Sequence, residues 1–169
     1  AANRAHFQQR IDATLTHTPD DSLAIAYAIR GFNLHLRVPT PNAPAPADAL
    51  WKTTCCELFV GAPDRPDYRE FNFSPSGQWA VYDFADTRLR AASTPAIPAP
   101  AITTRRSEDL LELDVCLPAG ALPVFGDRRC IALAAVLEAE GGHLGYWALV
   151  HPHGEPDFHD PAGFVLKLD

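Results

Sequence analysis

Methionine is missing from all 169 residues, position 1 included, as expected of a chain whose start has been processed or trimmed. A removed targeting segment therefore stays open. Cysteine is scarce, with Cys55, Cys56, Cys116 and Cys130 forming no CxxC pair, which excludes a dithiol redox motif. Adjacent Cys55 and Cys56 would point to opposite faces of a strand. The four read as small buried hydrophobes in a reducing compartment, with a Cys116–Cys130 bridge as the alternative. Long apolar runs are also missing. The longest, Cys130 to Leu137, is far too short to span a membrane. No charged-then-apolar signal segment opens the chain, so a cytoplasmic address is favoured. Positive charge is in short supply: 14 Lys and Arg stand against 21 Asp and Glu, a net charge of −7. This balance argues against nucleic acid and anionic membranes as partners. The basic pairs Arg105-Arg106 and Arg128-Arg129 are too short for a phosphate track and read as solvated turns. No Gly-rich phosphate loop or nucleophile motif occurs.

What is present is strand periodicity. Hydrophobic content is 47%, enough for a core without staples, and the length suits one domain over residues 1–169. Apolar residues alternate at Ile11, Ala13 and Leu15, then at Leu23, Ile25, Tyr27 and Ile29 after the turn Thr18 to Asp21, which makes a first hairpin. Phe32, Leu34, Leu36 and Val38 alternate next. Cys55 to Gly61 and Leu110 to Leu117 follow. Cys130 to Ala139 is almost wholly apolar, as expected of a central strand covered on both faces. Leu144 to Val150 and Gly163 to Leu168 complete about ten strands. The proline-rich stretches Pro39 to Pro46 and Pro95 to Pro100 belong in surface loops. With no convincing helix, the fold class is all-β: an antiparallel two-sheet β-sandwich of jelly-roll type.

The most informative segment is YREFNFSPSGQWAVYDF, Tyr68 to Phe84, two alternating strands around a Ser/Pro/Ser/Gly turn. If Ser74 to Gly77 form the loop, Phe73 faces Gln78. Phe71, Phe73, Ala80 and Tyr82 then share a core face. Glu70, Asn72, Trp79 and Val81 share the other, with Tyr68 and Asp83 at its far end. A carboxylate, an amide and a flat ring together suit a neutral polyhydroxylated ligand, which needs stacking against C–H faces and fixed hydrogen bonds. A loop one residue longer or shorter would exchange the faces. If Leu58 and Val60 point inwards, Glu57 joins Glu70 and Asn72.

LWKTTCCELFVG from Leu50, the Tyr68 to Phe84 hairpin and YWALVHPHGEPDFHD from Tyr146 together resemble bacterial DOMON-like proteins related to type 9 carbohydrate-binding modules. The resemblance implies a two-sheet β-sandwich that holds sugar chain ends between aromatic rings, without catalysis. It places Trp51 and Glu57 where such modules carry a tryptophan and a glutamate, and offers Trp79 and Trp147 as ring platforms. The Asp-Asp pair of the modules is replaced by Thr53-Thr54 or Thr54-Cys55. That replacement removes hard oxygen ligands and puts a structural calcium in doubt. DOMON relatives include haem binders with His and Met ligands. Without methionine only bis-His ligation survives, so haem is disfavoured.

His151, His153, Asp157 and His159 crowd into one decapeptide and could hold a borderline divalent ion such as zinc, although their spacing fits no metal signature. The alternative is a tight loop whose Asp157 and His159 bond its backbone. Glu57 and Glu70 could be read as a glycosidase pair, but nothing in the sequence fixes their separation. Arg69 and Arg88 are expected in ion pairs with Asp83, Asp86 or Glu70, although an acidic sugar would want one of them. The reading is a non-catalytic sugar-binding domain using Trp51, Glu57, Glu70, Asn72, Trp79 and Trp147, with no cofactor and a small saccharide or glycan end as partner. The rivals are a His-based metal or haem protein, and an interaction module with a vestigial slot and a free strand edge.

Overall fold

The computed structural model describes residues 9–31, 35–125 and 128–168. Among these described residues eleven strands appear in chain order: β1 Arg10–His17, β2 Leu23–Arg30, β3 Cys55–Gly61, β4 Tyr68–Phe73, β5 Trp79–Asp86, β6 Leu89–Arg90, β7 Ala101–Arg106, β8 Leu110–Leu117, β9 Arg129–Glu138, β10 Leu144–Ala148 and β11 Leu166–Leu168. One sheet has four strands in the order β1-β2-β8-β7. The other has seven, in the order β10-β9-β3-β4-β5-β6, with β11 pairing the first part of β9 beyond the end of β10. Every strand pairing is antiparallel, and the two sheets form a β-sandwich.

The two-residue period sets the layers. In β2, Leu23, Ile25, Tyr27 and Ile29 are buried while the residues between them are exposed or half-buried. Leu111, Leu113, Val115 and Leu117 of β8 lie beside them, and Cys56, Leu58, Val60, Phe71, Phe73, Ile131 and Leu133 close the core from the seven-stranded sheet. The Tyr27 hydroxyl, sealed in this core, is satisfied by donating to the Glu57 carbonyl at 2.9 Å.

β3 and β4 differ from an ordinary outer layer because both are buried along their whole length. Their outer face is covered in part by a 3₁₀ turn, Leu50–Lys52, and by the connection between β10 and β11. A second apolar cluster, Phe59, Tyr68, Phe84, Ala132 and Ala134 with Phe158 and Phe164 against it, fills part of that outer face. The face is thus walled rather than open, which creates the setting for a site.

Three expectations change. The alternation at Phe32, Leu34, Leu36 and Val38 gives no strand among the described residues. Leu36 forms only a single bridge to Ala139, and Phe32 and Leu34 lie outside the described residues. Cys116 sits exposed on β8 and Cys130 half-buried on β9, in different sheets, and all four thiols are free. The β4–β5 loop has five residues, Ser74 to Gln78, so Phe73 pairs with Trp79. Gly77, at φ 89°, takes the left-handed conformation that closes this turn, and its N–H donates to the Ser74 carbonyl at 3.0 Å.

Candidate functional site

The five-residue loop decides which side chains share the outer face. Trp79 and Val81 turn inwards beside Phe73 and Phe71 and pack on the inter-sheet core, while Ala80, Tyr82 and Phe84 turn outwards beside Asn72, Glu70 and Tyr68. Trp79 is therefore not a wall of any slot that contains Glu70. Trp147 of β10, paired with Ala135 of β9, also packs on the core, and its neighbour Tyr146 takes the outer position beside Val136. Trp51 alone of the three tryptophans reaches the outer face.

On that face lies a cavity of about 560 Å³. Glu57, Glu70 and Val136 line it from the adjacent strands β3, β4 and β9. From one side come Trp51 and Lys52 of the 3₁₀ turn, with Arg88 and Arg90 around β6. From the other come Leu144 and Tyr146 of β10, with Phe158 and His159 of the following connection. Trp51 meets Tyr82 edge-on, ring centroids 5.6 Å apart, and Tyr146 meets Phe158 in the same way at 6.0 Å. Such edge-to-face pairs fix ring orientation while leaving faces available for stacking.

Two carboxyl groups lie at the bottom of this cavity. Glu57 is 3% exposed and Glu70 is 5% exposed. Asn72, fully buried, donates from its amide to Glu70 Oε1 at 2.5 Å and holds that carboxyl in place. Asn72 itself does not line the cavity, so it positions Glu70 rather than meeting a ligand. Among the described residues no group donates a hydrogen bond to the Glu57 carboxyl. Burial, and then the charge of Glu70, push Glu57 well above the usual carboxylate range. Burial also raises Glu70, against the opposing pull of Asn72 and of Arg90 and Arg88.

His159 ties the cavity to the apolar cluster. Its Nδ1 lies 2.7 Å from the Tyr68 hydroxyl, which also accepts from the Arg88 backbone N–H at 3.1 Å. With the phenol donating to Nδ1, the neutral ring carries its proton on Nε2, 3.9 Å from Glu70 Oε2. Burial, and then Arg88, lower the imidazole to about 4, so it is neutral at neutral pH. The ring also lies against Phe84 and Phe59 at 5.0 and 5.5 Å between centroids.

The other residues of the histidine-rich segment do not converge. His153 pairs with Asp160 and Asp157 with Arg88, while His151 stacks on Phe158. Among the described residues no group of three His, Cys, Asp or Glu is placed to hold a metal ion. Thr54, at the position where the resemblance calls for a carboxylate, is spent on backbone: its hydroxyl donates to the Arg37 carbonyl at 2.7 Å and accepts from the Glu138 N–H at 3.0 Å. Arg69 pairs with Asp83 as expected from sequence, at 2.6 Å. Arg88, one of the two arginines that an acidic sugar would want, lines the cavity but pairs with Asp157 rather than with Asp83, Asp86 or Glu70. Lys52, Arg90, Tyr82 and Phe158 were not legible as site residues, and only the adjacency of Lys52 to Trp51 hinted at any of them.

No protein-family model matches this chain, and no curated protein does. Among solved structures, a "putative carbohydrate-binding protein" from Bacteroides uniformis superposes with a TM-score of 0.62 at 17% identity, over 94% of this chain and 77% of the other. A family 9 carbohydrate-binding module from Caldicellulosiruptor kristjanssonii, in complex with glucose, superposes with a TM-score of 0.52 at 10% identity. That match covers 83% of this chain and 65% of the module. At such identities the likeness is one of fold.

Proposed function

We propose that the outer-face cavity binds a saccharide without transforming it. The observation that carries this reading is the pairing of Glu57 and Glu70 beneath the rings of Trp51 and Tyr146, which enter from opposite sides of the sheet order. A sugar offers hydroxyl donors to buried carboxyls and C–H faces to rings, and the unengaged Glu57 carboxyl is a partner for such hydroxyls. The fold likeness to a module holding glucose supports the same class of ligand.

Binding without catalysis is supported by the state of the carboxyls. Glycoside hydrolysis needs one carboxyl as the acid and its partner ionised as nucleophile or base. Burial raises both Glu57 and Glu70, which disfavours an ionised partner, and Asn72 commits Glu70 to a fixed hydrogen bond.

The test is a glycan panel followed by titration calorimetry. Trp51→Ala and Tyr146→Ala should each weaken the best saccharide at least ~10-fold, a loss of ~1.4 kcal/mol. A panel without any saccharide bound, or affinities unmoved by both substitutions, would overturn the reading.

A further inference from the structure

The geometry points to an anionic sugar, its charge carried by a carboxylate of the uronic-acid type, as the ligand class of this cavity. The inference rests on the sugar-binding reading above and deepens it.

The carrying feature is Arg90. Its guanidinium carbon lies 4.0 Å from the centroid of the Tyr82 ring and 5.6 Å from that of Trp51. The side chain is thus pinned against the aromatic wall of the cavity it lines. Among the described residues no acceptor takes its N–H groups and no carboxylate lies within ion-pair distance, and the same holds for Lys52 beside Trp51. Most other arginines near the sheet are committed: Arg69 to Asp83, Arg88 to Asp157, Arg129 to Asp21. Asp48, the acidic group whose field Arg90 and Lys52 share, accepts from the Tyr82 hydroxyl and does not line the cavity.

A chain with a net charge of −7 therefore presents two uncommitted cations at the rim of one cavity. A planar guanidinium fork matches a carboxylate through two parallel hydrogen bonds, and charge-assisted bonds are roughly twice as strong as neutral ones. Arg90 and Lys52 flank Trp51, so a sugar stacked on that ring would carry its carboxylate towards both. A singly charged carboxylate draws on both cations while adding the least repulsion from Glu70 beneath them.

The experiment compares matched acidic and neutral oligosaccharides, trigalacturonate and a glucuronate-bearing oligosaccharide against cellotriose and galactotriose, with glucose 6-phosphate as a further arm. The best acidic sugar should bind about tenfold or more tightly than the best neutral one, and that ratio should shrink in 0.5 M salt through screening. Arg90→Gln should bring the acidic-to-neutral ratio towards one. Lys52→Gln, at an exposed position, should lower it in the same direction, which keeps the test valid should the first variant fold poorly. A neutral sugar that binds as tightly as the acidic ones, or a phosphate that binds more tightly, overturns this inference and leaves the sugar-binding reading standing. No saccharide of either class bound overturns both.

Discussion

Glu57 and Glu70 sit on adjacent strands, on the same face and two residues apart in register, yet Asn72 donates only to Glu70. The two carboxyls are chemically unequal as a result. Glu70 has a permanent donor, whereas Glu57 is pushed towards its protonated form because burial and the neighbouring carboxyl both disfavour its charge.

This inequality gives a pH prediction. The folded protein holds a proton on Glu57 at pH values where the unfolded chain, with an ordinary value near 4.5, has released it. The contribution of Glu57 to stability is therefore fully present below about 4.5 and is lost as pH rises towards the raised folded value. Glu57→Gln removes the titrating group. The variant's Tm minus that of wild type should be near its minimum at pH 4.5 and increase towards pH 8, read by thermal melts. A difference that stays flat across this range would contradict the assignment.

The half-buried ion pair at the edge of the core gives a second. Arg69, 6% exposed, donates to both oxygens of Asp83 at 2.6 and 2.8 Å and to the Ala121 carbonyl at 2.8 Å. Arg69→Met strands Asp83 and the carbonyl and should cost about 3 kcal/mol in denaturant melts. The double variant Arg69→Met with Asp83→Leu should recover a large part of that loss. Additive losses would show that the pair does not act as a unit.

Trp79 and Trp51 separate stability from binding. Trp79 packs on the inter-sheet core, so Trp79→Ala should lower stability by roughly 3 kcal/mol through the cavity it leaves. Trp51 is held by Tyr82 and Arg90 at the rim, so Trp51→Ala should cost under about 1 kcal/mol of stability. Melts of both variants check this, and the opposite ranking would reverse the assignment of faces.

Much of the architecture was legible from period alone. LAIAYAIR and LLELDVCL alternate because each has one buried face, and the continuous apolar run in β9 reflects burial on both. β7, AITTRR, carries mostly Thr and Arg on an edge strand, so no apolar signal announced it. The site was harder. Glu57, Glu70 and Trp51 were recognisable as residue types, but which ring joined them depended on whether the loop after Phe73 takes four residues or five. That count is set by backbone bonds, Gly77 N–H to the Ser74 carbonyl and Ser74 N–H to the Gln78 carbonyl, which composition does not encode. A single residue exchanged Trp79 for Tyr82. Arg90, His159 and Phe158 reach the cavity through contacts distant in sequence, and no local spacing marks those.

The chain has three tryptophans, and each contributes one indole N–H signal to a nitrogen-correlated NMR spectrum. Titrating in the best-binding saccharide tests the placement of the site most directly. The Trp51 indole signal should shift with saccharide, and those of Trp79 and Trp147, on the core side of the sheet, should stay in place. A saccharide that moves Trp79 or Trp147 and leaves Trp51 unmoved would contradict that placement.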